Sequence, residues 1–319
     1  MKKTSALIAL TLLSGHALAE EKAFNVTLGA KFTNIEEPEL DYAYLTDQND
    51  KVLSTDYGDG TTLNLDVTAN LAELGLIDTP IKVGIRYQTT DASGDDGYGR
   101  FDDPDDLCNV DPLLGLIDDC WNEAQIDIDT ELSSFSLYGE MDFALNDTMT
   151  LTPRAGIQTL DYSEERYIAY LYDGGVSNFI NDDTTFKDTG IMLGADFKHD
   201  LGTFFWGAGI ELAFFDDERE REVYDVERDW PSGVFSQDDR GSEKEDVKVT
   251  SMVIGLEVGK EFMVSNMPLV VALNVDLSSL SNLVDTRNTQ DNNFTPGERG
   301  ERKEDFETLS YGLSFGTSF

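Results

Sequence analysis

Apolar and polar residues alternate with a period of two through much of this chain, the rhythm of extended strands whose two faces meet different surroundings. Ten segments carry it. The first sets Phe24, Val26, Leu28, Ala30 and Phe32 against Asn25, Thr27, Gly29, Lys31 and Thr33. The second opposes Leu63, Leu65, Val67, Ala69 and Leu71 to Asn64, Asp66, Thr68 and Asn70. The third opposes Ile81, Val83, Ile85 and Tyr87 to Lys82, Gly84, Arg86 and Gln88. In the fourth, Phe135, Leu137, Met141, Phe143 and Leu145 face away from Ser134, Ser136, Tyr138, Glu140 and Asp142. The fifth places Met149, Leu151, Ala155 and Ile157 against Thr152, Arg154, Gly156 and Gln158. Ile191, Leu193, Ala195 and Phe197 mark the sixth, with Gly190, Gly194 and Asp196 opposite. Every second residue from Phe204 to Phe214 marks the seventh, with Gly207, Gly209 and Glu211 opposite. Met252, Ile254, Leu256 and Val258 define a less regular eighth, opposite Ser251, Gly255 and Glu257. The ninth runs Leu269, Val271, Leu273, Val275 and Leu277 against Ala272, Asn274, Asp276 and Ser278.

The tenth segment puts Leu309, Tyr311, Leu313, Phe315 and Phe319 on one parity, with Thr317 the single polar residue on that face. Connection lengths sort by side. Long ones run 36–60, 91–131, 161–187, 216–246 and 281–304, while those near 73–80, 146–147, 199–202 and 260–268 are short. A soluble sandwich has no reason to sort its loops in this way, whereas a membrane barrel has short inner turns and long outer loops. The expectation is therefore an all-β, transmembrane, antiparallel up-and-down barrel of about ten strands, within roughly eight to twelve. Long acidic loops would face outward, and short turns and both termini would face the periplasm.

The start of the chain agrees. Lys2 and Lys3 precede an apolar run from Ala6 to Leu13, and Ala17-Leu18-Ala19 supplies small residues for cleavage. This predicts a signal peptide at 1–19, a single barrel domain at 20–319, and delivery to the outer membrane of a Gram-negative bacterium. The run is much shorter than the ~20 residues of a spanning helix.

Composition narrows the partners. The chain holds 63 acidic against 23 basic residues, for a formal charge of −40. Nucleic acid is disfavoured, because that affinity comes from Lys and Arg neutralising phosphates. The 18 Phe, 12 Tyr and 3 Trp argue against a disordered acidic polymer. Cys108 and Cys120, both in one outer loop, are expected to form a disulfide in an oxidising compartment.

Chemistry is sparse. His199 is the one histidine past the leader, and it sits in the turn Lys198-His199-Asp200-Leu201-Gly202 without a cleft around it, so no enzyme is expected. Carboxylates crowd the outer loops at 102–106, 118–119, 216–218 and 238–239. Asp91, Ser93, Asp95 and Asp102 begin like a calcium loop, but Asp96 stands where the turn needs glycine and Gly97 comes one residue late. No metal or cofactor is expected, although divalent ions loosely bridging to lipopolysaccharide remain open.

The inward face carries both signs of charge. Arg86 should lie between Asp66 and Glu140, and Arg154 between Glu140 or Asp142 and Asp196, while Glu211 is a further inward acid on the seventh segment. Arg86, Arg154, Glu140, Asp142, Asp196 and Glu211 are thus the candidate constriction. Two readings stay open, a salt-bridged plug and a hydrated path that favours cations. Tyr162, Tyr167, Tyr170, Tyr172 and Phe179, with Trp230, point either to hairpins rising above the membrane or to an aromatic ligand-binding rim.

The tenth segment resembles the C-terminal signal of outer-membrane barrels, which implies that Tyr311, Leu313, Phe315 and Phe319 are presented to the barrel-insertion machinery. The stretch 151–157, followed by Asp161-Tyr162, Leu193-Gly194-Ala195-Asp196 and Trp206-Gly207-Ala208-Gly209, resembles the Legionella major outer-membrane pore-forming family. That resemblance implies passive pore formation without a cofactor. The expected function is a narrow, passive, cation-favouring pore for small solutes, set in outer-membrane lipid and lipopolysaccharide. The alternative is a non-conducting surface protein, such as an adhesin, receptor or envelope component, that works through its acidic loops.

Overall fold

A computed structural model describes residues 23–36, 58–94, 99–100, 108–110, 117–120, 123–172, 175–229, 234–264, 267–285 and 303–319. The leader expected at 1–19 lies outside them. Ten long strands form the wall: β1 (Phe24–Ile35), β2 (Asp59–Asn70), β3 (Ile81–Gly94), β4 (Glu123–Met141), β5 (Met149–Tyr172), β6 (Gly175–Asp200), β7 (Phe205–Asp229), β8 (Val234–Val264), β9 (Met267–Asp285) and β10 (Lys303–Ser318). Each pairs antiparallel with the next, and β10 closes on β1 from Asn25↔Ser318 to Ile35↔Thr308. Closure matters physically, because a sheet in lipid can leave no backbone group unpaired. Two short pieces extend β4, Gly99–Arg100 against its start and Phe143–Ala144 beyond its end. A separate two-stranded ladder sets Cys108 opposite Cys120. Their side chains, and so the expected disulfide, lie outside the described residues.

The short connections and the described chain ends share one rim. Phe24 and Phe319 exchange backbone hydrogen bonds of 2.9 and 3.0 Å, and their rings stack at 5.9 Å. Asn146 turns the chain by accepting from the Thr148 and Met149 amides, each at 2.9 Å. Asp200 does the same for Gly202 at 2.7 Å, and Gly202 takes a φ of 80° that a residue with a side chain would resist.

The outward face is apolar around this part of the wall. Leu63, Ile85, Leu137, Ile191, Ile210, Leu256, Leu273 and Leu313 are all exposed there, as the alternation predicts. Along β7 and the residue before it the band runs from Phe204 to Phe214, close to the ~9–11 residues with which a tilted strand crosses lipid. A soluble surface does not sustain so large an apolar patch.

Two long connections need correction. Residues 161–187 and 216–246, read from sequence as loops, are largely strand: β5 runs on to Tyr172, β6 starts at Gly175, β7 ends at Asp229 and β8 starts at Val234. The 26 residues of β6 extend roughly 85 Å along the strand at ~3.3 Å each, far more than a membrane needs. This bears out the hairpin reading of the outer aromatics. The alternation continues into these extensions but its polarity inverts. On β7, Ala213, Phe215 and Val223 turn inward and are buried, while Asp216 and Glu218 face out.

Candidate functional site

The barrel interior has two storeys. In the lower one, within the apolar band, polar side chains surround a cavity of about 470 Å³. Arg86 on β3 donates to Asp66 Oδ2 on β2 at 2.8 Å, and through Nη1 to Glu211 Oε2 on β7, also at 2.8 Å. Strands β3 and β7 are four places apart around a ring of ten, so this bond crosses the lumen. Tyr138 donates its hydroxyl to Asp66, 2.7 Å from Oδ1 and 2.8 Å from Oδ2, and its ring lies 5.4 Å from the Arg86 guanidinium. Arg154 on β5 donates to Asp196 at 2.8 Å and stands 3.2 Å from the same Glu211 oxygen. Glu211 is therefore the hub of the lower lumen.

Inward glycines make these contacts possible. A Cβ on Gly84 would stand 2.3 Å from the Tyr138 ring, and one on Gly194 would stand 2.9 Å from Arg154 Nε. The glycines that read as weak strand formers are the space into which long polar side chains fold.

The structure thus gathers Arg86, Arg154, Glu211 and Asp196 as one network. The Arg86–Asp66 and Arg154–Asp196 contacts agree with the sequence reading, but Glu140 and Asp142 take a different partner. Lys82 pairs with both, with Glu140 Oε1 at 3.9 Å, and Asp142 also accepts from Thr152 at 2.8 Å. Asp142 belongs to the rim, its side chain 44% exposed, and not to a constriction. The reason is reach: Arg86 and Arg154 are long enough to cross the tube to Glu211, which register between neighbouring strands does not reveal. Lys31 pairs with Asp276 two strands away.

Above the network a run of hydroxyls links four strands. Thr33 lies 2.8 Å from Ser310 and 2.6 Å from Thr62, and Thr62 lies 2.8 Å from Thr90. The upper storey then begins. Leu160, Tyr162, Phe186, Phe215, Val249, Leu280 and Phe306 meet in one buried cluster. Tyr162 and Phe306 touch edge to face at 5.7 Å. They stand on β5 and β10, five places apart and so diametrically opposed, and their contact spans the lumen. On β9 the ladder slips between Leu280 and Val284, and Asn282 adopts a φ of 59°. That slip turns Leu283 inward, fully buried, and Arg219 from β7 donates to its carbonyl at 3.0 Å.

A buried ionic cluster lies above that contact. Arg221 grips Asp182 with two bonds of 2.7 Å, Arg166 approaches Asp182 at 3.6 Å and pairs with Glu164, and Tyr162 donates to Glu164. Sequence reading missed this storey because, although it allowed hairpins above the membrane, it assigned no inward face within 161–187 and 216–246. Its signal is the unbroken parity of Leu160, Tyr162, Glu164 and Arg166. Tyr162 belongs to the buried inner cluster and not to an aromatic rim, whereas Tyr167 does face outward; the side chains of Tyr170, Tyr172, Phe179 and Trp230 lie outside the described residues.

Other candidates disperse. His199 lies near the end of β6, its ring 5.9 Å from Trp206. Asp91 and Ser93 are paired within the β2–β3 ladder, so they do not form the coil of a calcium loop, and 95–98 and 101–107 lie outside the described residues. Tyr311, Leu313 and Phe315 face outward from β10.

No family pattern matches the chain, and no curated protein is similar to it in sequence. Among solved structures it is similar to the outer membrane protease OmpT from Escherichia coli, at 13% identity and a TM-score of 0.43, covering 96% of this chain and 99% of that one. It is also similar to a major outer membrane protein from Thermus thermophilus, at 12% identity, TM-score 0.35, covering 92% and 99%. The toluene transporter TbuX of Ralstonia pickettii gives 8% identity and a TM-score of 0.35, with coverage of 94% and 90%. What the barrel does must be taken from its own walls and lumen.

Proposed function

We propose that this chain is an outer-membrane barrel with a narrow, cation-favouring lumen for small solutes, closed at rest by its upper storey. The observation that carries this is the lower cavity, whose wall holds six carboxylates against three cations, Lys31, Arg86 and Arg154. Low-dielectric walls focus the field of that excess and concentrate cations. The band of outward apolar residues suits a barrel set in lipid, and the leader suits export to the outer membrane. On this reading its partners are membrane lipid, lipopolysaccharide and the insertion machinery, which would read Tyr311, Leu313, Phe315 and Phe319.

Planar-bilayer recording tests the reading. Wild type should show little steady conductance, and the pair Tyr162→Ala and Phe306→Ala should open a cation-selective one. A folded double variant that stays silent would overturn the pore. It would leave the second reading, a non-conducting surface protein, which is favoured by the height of β5 to β8 above the apolar band.

A further inference from the structure

The lower lumen offers more than excess charge. We propose that its cavity is a binding site for a small hydroxylated amine, a molecule of sugar size bearing one ammonium group, entering from the short-turn rim. The proposal rests on reading the lower lumen as hydrated from that rim, and it adds the chemistry of the occupant.

At about 470 Å³ the cavity falls within the roughly 300–1,000 Å³ of small-molecule pockets. Its three cations are already engaged: Lys31 with Asp276, Arg86 with Asp66 and Glu211, Arg154 with Asp196 and Glu211. An anionic ligand would have to displace these pairs. The acids, by contrast, outnumber the cations and lean over one patch, where Asp196 and Asp276 each hold one of these pairs and Glu257 holds none of them. Asp196 Oδ1 lies 2.3 Å from where a Cβ on Gly209 would stand, Glu257 Oε1 2.7 Å from that of Gly207, and Asp276 Oδ1 3.0 Å from that of Gly255. Gly209 faces Gly255 directly across β7 and β8. Three carboxylates from β6, β8 and β9 therefore lean over a single glycine floor. Glu257 is within electrostatic reach of both Asp196 and Asp276, with Lys198 as its counter-charge.

An independent feature specifies the rest of the ligand. Gln158 is only 8% exposed, lines the same cavity and makes no side-chain hydrogen bond to the protein. An amide left unpaired is costly, and a hydroxyl, donor and acceptor at once, answers it. Among the described residues no carboxylate group closes tightly enough to ligate a metal ion. An ammonium, with hydrogens pointing several ways, can be shared by carboxylates spaced farther apart.

Glucosamine is the probe, titrated calorimetrically into the folded, detergent-solubilised full chain, with glucose and gluconate as neutral and anionic counterparts. Saturable glucosamine binding is expected, at least tenfold tighter than glucose, with none for gluconate. Glu257→Gln should weaken glucosamine at least tenfold while leaving glucose unchanged, and Gln158→Leu should weaken both. Boiled and unboiled gel mobility certifies that each variant is folded. The proposal is overturned if folded wild type gives no saturable glucosamine heat, if glucose binds equally well, or if Glu257→Gln changes nothing. The pore reading fails separately: glucosamine binding together with a silent Tyr162→Ala, Phe306→Ala barrel would sink conduction and keep the site.

Discussion

The same strands build two barrels of opposite sense, one above the other. Around the cavity, β7 turns Trp206, Ile210 and Phe214 outward and Glu211 inward. Eight residues above Glu211, Arg219 is buried inside beneath an exterior of Asp216 and Glu218. Along β7 side-chain parity holds between the two; what changes is the solvent outside. Facing lipid, the wall must be apolar and the polar groups can gather only in the lumen. Facing water, the wall carries charge and the lumen becomes a dry core of the kind soluble proteins bury. Charges behave accordingly. Below, Lys82 and Asp142 sit at a wet rim, while above, Asp182 and Arg221 are buried in an ionic cluster, each 1% exposed.

The largest expected effect tests that difference in dryness. Asp182→Ala removes the two-pronged partner of a buried guanidinium and should cost about 3–5 kcal/mol. Asp142→Ala at the rim should cost no more than about 1 kcal/mol, because water and salt already screen that pair. Urea unfolding from lipid vesicles measures both, and equal costs would erase the contrast. Next, Phe306→Ala should cost about 3–5 kcal/mol if the upper storey is a packed core. A cost below about 1 kcal/mol would mean the packing there is loose. The wall can be probed with one residue placed at two heights. Leu273→Arg, 63% exposed within the band, should cost about 2–4 kcal/mol, whereas Thr185→Arg on the outer face above it should stay within about 0.5 kcal/mol. Similar values at both would move the lipid boundary.

The smallest effect concerns Asp183. Burial, then Glu165, Asp182 and Glu222, raise its pKa above the ordinary carboxylate range. Glu165 and Glu222 stand directly opposite it on the flanking strands. The folded state therefore holds this proton more tightly than the unfolded chain does. Ionised Asp183 costs stability above its folded pKa, and the cost is relieved as pH falls through that value. Asp183→Asn should accordingly stabilise the upper barrel at pH 7 by a fraction of the ~0.2–1 kcal/mol typical of cross-strand pairs. The gain should disappear below about pH 4, where the unfolded carboxyl is protonated too. A gain that persists in acid would point to a cause other than charge.

Much of this was legible along the chain. The inward set holding Arg86, Arg154, Asp196 and Glu211 came from parity alone, because a strand cannot turn one residue in without turning the next out. Their partners were only half legible. Asp66 and Asp196 sit on neighbouring strands, where register brings them to Arg86 and Arg154, but Glu211 meets Arg86 across the tube. The upper storey was hidden for a related reason. A search for apolar-out alternation stops where the outside becomes water, although the strand itself continues.

By itself, then, the sequence pointed to about ten strands, to the face most residues take within the apolar band and to the polarity of the lipid-facing wall, since all three follow from a period of two. Only the tertiary structure decided which side chains meet across the lumen. Tyr162 and Phe306 are 144 positions apart in the chain and meet because a closed ring of ten strands sets β5 opposite β10. Contact across a diameter depends on ring size, on side-chain reach and on the glycines that give it room, and no local pattern records those together.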